Sequence, residues 1–301
     1  MQTYHNAWPN LAGLFENKEE VRVNTQLIFN EDSAAEIYID VFNKRLRVDD
    51  IRGNIDKAIE KAEELVQAYQ AEKLIVKGRQ EQYEKLVEHG FQCEAVIDGY
   101  FLGSNLVFFC KYYTIKRRTS QQWIQEDQII KQVLALEGQK QTTPPAEYKI
   151  KKCSYDDADA LALLYGNVFQ IYPTPLYDPQ YIRRTLDEGT IYYSFQTNGV
   201  IVSAASAEVN SFYKNAELTD CATLPEHRKH GLMKILLEKL EEELRLANIY
   251  CAYSIARSLS FGMNAALHQL SYSYRGRLMN NCYIFDKLED MNVWVKDLSK
   301  G

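Results

Sequence analysis

The sequence holds no apolar run that reaches the ~18 residues a membrane-spanning helix needs, so no helical membrane span is expected. Positive charge is not in excess: the net charge is -6, which offers no basic field to a nucleic acid. The five histidines show no metal-ligand spacing, so no metal is expected. The six cysteines, at 93, 110, 153, 221, 251 and 282, form no CxxC and no pairing rhythm. Most sit in apolar strand-like runs, the pattern of reduced, buried thiols in a cytoplasmic protein. The first twenty residues lack a basic n-region and an apolar h-region, so no signal peptide is expected. Two phosphate-binding signatures are also missing, GxxxxGK[ST] and GxGxxG.

What remains has ordinary globular composition, 46% hydrophobic and 25% charged, in a length that suits about two domains of ~150 residues. A composition break falls at LEGQKQTTPPAEYK, where Gly138, Thr142, Thr143, Pro144 and Pro145 read as a linker. We expect an N-terminal α/β domain over residues 1–140 and a second domain over 146–301.

Before the linker, AEIYIDVFNKRLRV alternates like paired strands. NIDKAIEKAEELVQAYQ puts Ile55, Ala58, Ile59, Ala62, Leu65, Val66 and Tyr69 on one helical face. KLIVKG is a short strand, QEQYEKLVEHGF a helix ending at Gly90, and CEAVIDGYFLGSNLVFFCKYYT two strands around a turn. After the linker the order is β-α-α-β-β-β-α-β-α-β-β, an α/β domain around one mixed sheet. Its hairpin turns at Asn198-Gly199. The first half echoes the end of the second, and VFFCK echoes CYIFDK, so the N-terminal domain reads as a smaller, degenerate copy of the same fold.

The stretch ELTDCATLPEHRKHGLMKILLEKLEEEL runs from a strand, through Pro225, into Arg228-Lys229-His230-Gly231 and then a long amphipathic helix. Met233, Leu236, Leu237, Leu240, Leu244 and Ala247 make its apolar stripe. A helix N-terminus carries unpaired N–H groups and partial positive charge, and binds phosphates. Gly231 lets backbone approach a ligand closely, and the basic residues add charge at the same place. Spacing alone leaves two readings open, a diphosphate cradle and a solvated, charged helix start.

Arg228-Lys229-His230-Gly231-Leu232-Met233 resembles the [Q/R]-x-x-G-x-[G/A] pyrophosphate loop of the GCN5-related (GNAT) N-acetyltransferases, and the element order of residues 147–298 is similar to that fold throughout. More narrowly, TDCATLPEHRKHGLM, YSIARSLSFGMN and EDMNVWVK resemble the β-lysine N6-acetyltransferases, which act on an osmolyte (compatible-solute) precursor; the long N-terminal extension is also similar. The resemblance implies a cytoplasmic acyltransferase that moves acetyl from acetyl-CoA to the N6 amine of β-lysine by direct attack in a ternary complex. It implies that acetyl-CoA lies between the strand ending at Cys221–Leu224 and the strand Tyr250–Ile255. Ala222, Thr223 and Leu224 would pair with the pantetheine arm, amides of Arg228 to Met233 would hold the diphosphate, and Asn264 would contact the coenzyme. Two positions depart from the pattern. Met233 replaces Gly or Ala. Leu267 stands where many relatives have an acid tyrosine, which leaves Tyr272 and Tyr274 as substitutes for protonating the thiolate.

Acetylating an amine needs its neutral form; freeing an ammonium of pKa ~10.4 at pH 7 costs about 4.6 kcal/mol. A carboxylate that takes the proton is therefore useful, and Asp220 first and Glu217 second are the candidates. Strand alternation sets them on opposite faces of the sheet, and burial of Asp220 would raise its pKa. A structural hydrogen bond is the plainer role for each. Arg257 could clamp a substrate carboxylate, Asn280 or Asn281 could bind the amino-acid head, and Tyr172 and Tyr177 lie in a loop where relatives shape the acceptor pocket. Cys221 beside Asp220 is not activated as a nucleophile, since negative charge raises a thiol pKa. Two alternatives stand: an acetyltransferase for another small amino acid or diamine, and a non-catalytic CoA-binding sensor. The partner expected is a small-molecule amine, with neither nucleic acid nor membrane, and the sequence leaves room for a homodimer.

Overall fold

The computed structural model describes residues 25–29, 32–137, 143–169, 172, 174–284 and 287–300. The expectation for the first twenty residues, and the middle of the linker, lie outside the described residues.

Strands β1 (Thr25–Phe29), β2 (Ser33–Asp40) and β3 (Arg45–Gly53) lead through helix α1 (Ile55–Ala68) to β4 (Lys73–Arg79). Helix α2 (Tyr83–Glu88) precedes the hairpin of β5 (Gln92–Phe101) and β6 (Ser104–Tyr112). Helices α3 (Ile115–Arg118) and α4 (Trp123–Leu134) cross to the second half. There β7 (Lys149–Lys152) is followed by α5 (Ala158–Val168), α6 (Pro179–Asp187), β8 (Ile191–Thr197), β9 (Val200–Asn210) and β10 (Asn215–Thr223). Helix α7 (Leu232–Leu246), β11 (Cys251–Arg257), α8 (Phe261–Gln269), β12 (Ser273–Ile284) and β13 (Lys287–Asp297) complete the chain. Strand β1 has no counterpart in the sequence reading, which begins its first strand near Glu36.

The thirteen described strands form one mixed sheet, ordered β1-β2-β3-β4-β6-β5-β12-β13-β11-β10-β9-β8-β7. The two halves meet at β5 and β12 and follow the same plan outward. Each has a hairpin at the junction (β5/β6, β12/β13), then a parallel pair joined by a helix (β4 and β3 by α1, β11 and β10 by α7), then antiparallel strands. The junction depends on Gly276, opposite Ala95 at a φ of 128°. A Cβ there would lie 2.3 Å from the Glu94 carbonyl oxygen, so only glycine lets the two sheets become one.

Helix α7 forms because its apolar residues recur at helical spacing and its stripe meets a sheet face. Leu232, Leu236, Leu237, Leu240 and Leu244 are buried against β8, β9, β10 and β11 residues such as Phe195, Val202, Leu218 and Ala252. Truncating one such leucine costs about 2–5 kcal/mol. Helix α1 buries Ala58, Ile59, Ala62 and Val66 in the same manner in the first half, while Tyr69, at its C-terminus, is exposed. A third cluster, with Ile97, Phe108, Leu278 and Val293, seals the junction.

Candidate active site

The parallel pairing of β10 with β11 stops early. Asn215, Ala216 and Glu217 pair with Cys251, Ala252 and Tyr253, but β10 continues to Thr223 and β11 to Arg257. The strands splay from Glu217 onward and open a V. A cleft of about 1100 Å³ occupies it, reaching from the Gly231 turn past Thr223, Cys221, Asp220 and Glu217 to Arg47 and Lys77 of the first half. Just past β10, Leu224 N–H bonds to the Val202 carbonyl on β9. By the alternation of strand hydrogen bonds, Thr223 and Cys221 then turn their peptide groups toward the V, while Ala222 and Leu224 serve β9.

At the open end, Gly231 caps α7 at φ 72°, ψ 8°, and Lys229 is also left-handed at φ 72°. Five successive amides, Lys229 to Met233, meet no acceptor among the described residues. They form a main-chain anion cradle at a helix N-terminus. The Arg228 guanidinium folds back to the Thr223 carbonyl (3.2 Å) and ties the loop to the strand. Tyr148 braces the loop from behind, bonding to His227 Nδ1 (2.9 Å) and packing on the His230 ring. Gly231, Arg228, Lys229, Leu232 and Met233 line the cleft; the His230 side chain does not.

The first half has the same V and the same helix start, and both are plugged. Arg79 on β4 bonds to Asp50 (2.7 Å) and to the Ile51 carbonyl (3.2 Å) on β3. The α1 N-terminus is capped by Asn54, and the Asp32 carboxylate stands beside it, held by Asn54 and Lys57. A carboxylate of the chain itself fills the place of an anion.

Deeper in the cleft, Glu217 and Asp220 share one wall. Strand alternation predicts opposite faces, and the structure overturns this. The β9–β10 register shifts between Thr219 and Ala222, and Asp220 takes φ 51°, so a β-bulge turns its side chain to the Glu217 side. Ser206 donates a hydrogen bond to Asp220 (2.8 Å), and Tyr172 lines the same part of the cleft. Burial, then the charge of Glu208, push the Asp220 carboxyl up to about 7. Glu217 is pushed up to about 7 by burial and by Glu208, against the opposing pull of Lys77 and Arg47. Its carboxyl has no hydrogen-bond partner among the described residues. Glu208 is exposed at the cleft, and partial loss of solvent there raises its carboxyl as well. Burial and Asp220 drive the Cys221 thiol far above its ordinary value, which leaves it no nucleophile at neutral pH.

Several predicted residues are placed elsewhere. Asn264 is fully buried and spent on structure: its amide donates to the Arg257 and Ser260 carbonyls (2.9 and 2.8 Å), and its oxygen accepts from Asn292 and the Trp294 indole (2.9 and 2.8 Å). Tyr272 is buried beside Glu241 and Lys296, away from the cleft, and Tyr274 packs on Trp294. Neither can serve a thiolate in the V. Asn280 donates to the Arg117 carbonyl on α3 (2.9 Å) and stays outside the cleft wall; Asn281 reaches that wall. Arg257 lines the cleft, but Glu289 grips its guanidinium through two bonds of 2.6 Å. Tyr172 lines the cleft, whereas Tyr177 is exposed. The residues that sequence reasoning missed are Glu208 and the first-half Arg45, Arg47 and Lys77. No motif marks them, since the last three come from strands more than a hundred residues upstream.

Comparison with known proteins identifies the family. The model of the Acetyltransferase (GNAT) family matches residues 158–261. N-acetyltransferase YodP of Bacillus subtilis is 39% identical over 259 residues, covering 86% of this chain and 94% of that protein. A β-lysine N(6)-acetyltransferase of Methanosarcina mazei is 35% identical over 230 residues, covering 69% of this chain and 85% of that protein. Among solved structures, yncA of Salmonella typhimurium, solved with acetyl-CoA, overlaps 52% of this chain and 96% of its own, with a TM-score of 0.45 at 16% identity. The chain belongs to the GNAT family and is an N-acetyltransferase.

Proposed function

We propose that the protein transfers acetyl from acetyl-CoA to the N6 amine of β-lysine, by direct attack of the amine within a ternary complex. The observation that carries the reading is the pair of carboxyls on one cleft wall, buried Asp220 and half-buried Glu217, both raised to about 7 in the cleft that begins at the Gly231 cradle. The diphosphate of acetyl-CoA would lie on the amides of Lys229 to Met233, and the pantetheine arm along the peptide groups of Thr223 and Cys221. The thioester then reaches the β10 bulge, beside both carboxyls.

Each group has a separate task. Glu217, whose carboxyl meets no hydrogen-bond partner among the described residues, accepts the ammonium proton; a carboxyl titrating near 7 is well matched to operating pH. Asp220, held by Ser206, adds negative charge that attracts the ammonium form and keeps Glu217 basic. The acidic Glu208-Glu217-Asp220 surface suits a cationic acceptor. The relatives named as β-lysine acetyltransferases support the choice of acceptor. The boundaries at 1–140 and 146–301 remain our division of the chain, with the cradle in the second unit.

CoA release measured with β-lysine, α-lysine, ornithine and spermidine tests the reading. β-Lysine should give the highest kcat/KM, with acetyl on N6. Preference for another amine would transfer the site to that acceptor.

A further inference from the structure

We propose that the N-terminal half supplies the acceptor's carboxylate subsite, with Arg47 on β3 and Lys77 on β4 as the residues that read it. This rests on the acetyltransfer reading above and adds the reason for a second half whose own cradle is plugged.

The cleft is polarised across the two halves. Its carboxyls, Glu208, Glu217 and Asp220, come from β9 and β10; Arg47 and Lys77 come from β3 and β4 and line the same cavity. The two cations are neighbours through one shared counterion. Asp49 takes Arg47 Nε (2.6 Å) and Nη2 (3.0 Å) and Lys77 Nζ (2.8 Å). Asp49 is held as an anion by both and lies well below the usual carboxylate range. Within this trio two cations share one carboxylate, which leaves one positive charge; the other carboxyls within reach of it are Glu36 and, across the cleft, Glu208 and Glu217, and loss of solvent raises all three. Arg47 Nη1 has no acceptor among the described residues, so a donor remains for a ligand. Asp49 fixes the guanidinium plane, which lowers the entropy cost of binding a planar anion.

This arrangement selects a class of substrate. A plain diamine brings only positive charge and gains nothing from Arg47 and Lys77. An amino acid with a distal amine can place its carboxylate on the first-half cations and its reacting amine at Glu217. The surplus cation therefore rewards acceptors that carry a carboxylate at one end and repels polyamines there. Arg257, the candidate for this role in the sequence, is held by Glu289.

The test compares β-lysine with 1,4-diaminopentane, which is β-lysine without its carboxylate, on the full-length wild type and on Arg47→Gln and Lys77→Gln. Both cations also lower the Glu217 pKa, so each variant changes turnover on any amine; the ratio of the two kcat/KM values cancels this. The wild type should prefer β-lysine by tenfold or more, and each variant should cut that preference at least severalfold. Acetyl-CoA affinity, measured by calorimetry, should stay within about twofold and reports an intact fold. An unchanged ratio in both variants, with acetyl-CoA bound normally, overturns the subsite. A wild type that acetylates 1,4-diaminopentane as well as β-lysine also overturns it, while leaving the acetyltransfer reading standing. A wild type that acetylates neither amine removes that reading and this one together.

Discussion

Glu217 on β10 stands directly opposite Glu208 on β9, and both side chains line the cleft. Like charges in a cross-strand pair destabilise a sheet. Here the cost is met by raising both carboxyls, with Arg47 and Lys77 pulling in the other direction. A pair that harms stability and faces a cavity is best explained by what it does to a ligand.

The pair predicts a stability signature. Glu217 has a folded pKa of about 7, above an unfolded value of ~4.3. Its carboxyl therefore binds more protons in the folded state between those values, and stability falls as pH rises through about 7. Glu217→Gln should unfold at a higher temperature than the wild type at alkaline pH, by an amount corresponding to about 3–4 kcal/mol, and near pH 4 the two should coincide. Thermal denaturation at several pH values gives the comparison. Equal midpoints throughout would mean that Glu217 is not raised.

The same charges set the pH–rate profile. Removing Glu208's charge takes away a contribution that raises Glu217, so Glu208→Gln should move the acidic limb of kcat/KM to lower pH. Glu217→Gln should lower kcat at neutral pH by about 10²-fold, in the range of a lost general base, and lose less where free amine is abundant. A shift toward higher pH for Glu208→Gln would reverse the electrostatic assignment.

Asp220 has a left-handed backbone, which asparagine tolerates well and alanine does not. Asp220→Asn should therefore fold with a near-native melting temperature yet lower kcat on β-lysine. Asp220→Ala should lose both activity and about 1 kcal/mol or more of stability. Circular dichroism melts alongside steady-state kinetics separate the two effects.

Asn264 makes four hydrogen bonds in the buried interior. Asn264→Ala strands the Trp294 indole N–H and should cost about 2–4 kcal/mol. Denaturant titration should show that loss. Below the transition the folded variant should keep the wild-type KM for acetyl-CoA. A large rise in KM without loss of stability would return Asn264 to the coenzyme site.

Much of the fold was legible because local signals agree with packing. The leucine stripe of α7, the Asn198-Gly199 turn and the glycine before Leu232 all follow from spacing and backbone preference. The chemistry was less legible. Alternation misplaced Asp220 because one extra residue in a bulge reverses facing, and nothing in TDCAT announces a bulge. Asn264, Tyr272 and Asn280 carry chemistry-bearing side chains that the interior claims for structure. A motif shows that they are near the site in sequence, but not which way they point. Arg47 and Lys77 reach the cleft only because β5 and β12 join two sheets at Gly276, a pairing with no short-range trace.

The most direct test of the account is acetyl transfer to β-lysine by wild type and Gly231→Val, with CoA release and product NMR read together. The account predicts N6-acetyl-β-lysine from the wild type. In the variant, a β-branched residue at φ 72° and an added side chain at the cradle should raise the KM for acetyl-CoA at least tenfold. An unchanged KM in a folded variant, or no CoA release by the wild type with any amine of the panel, would contradict it.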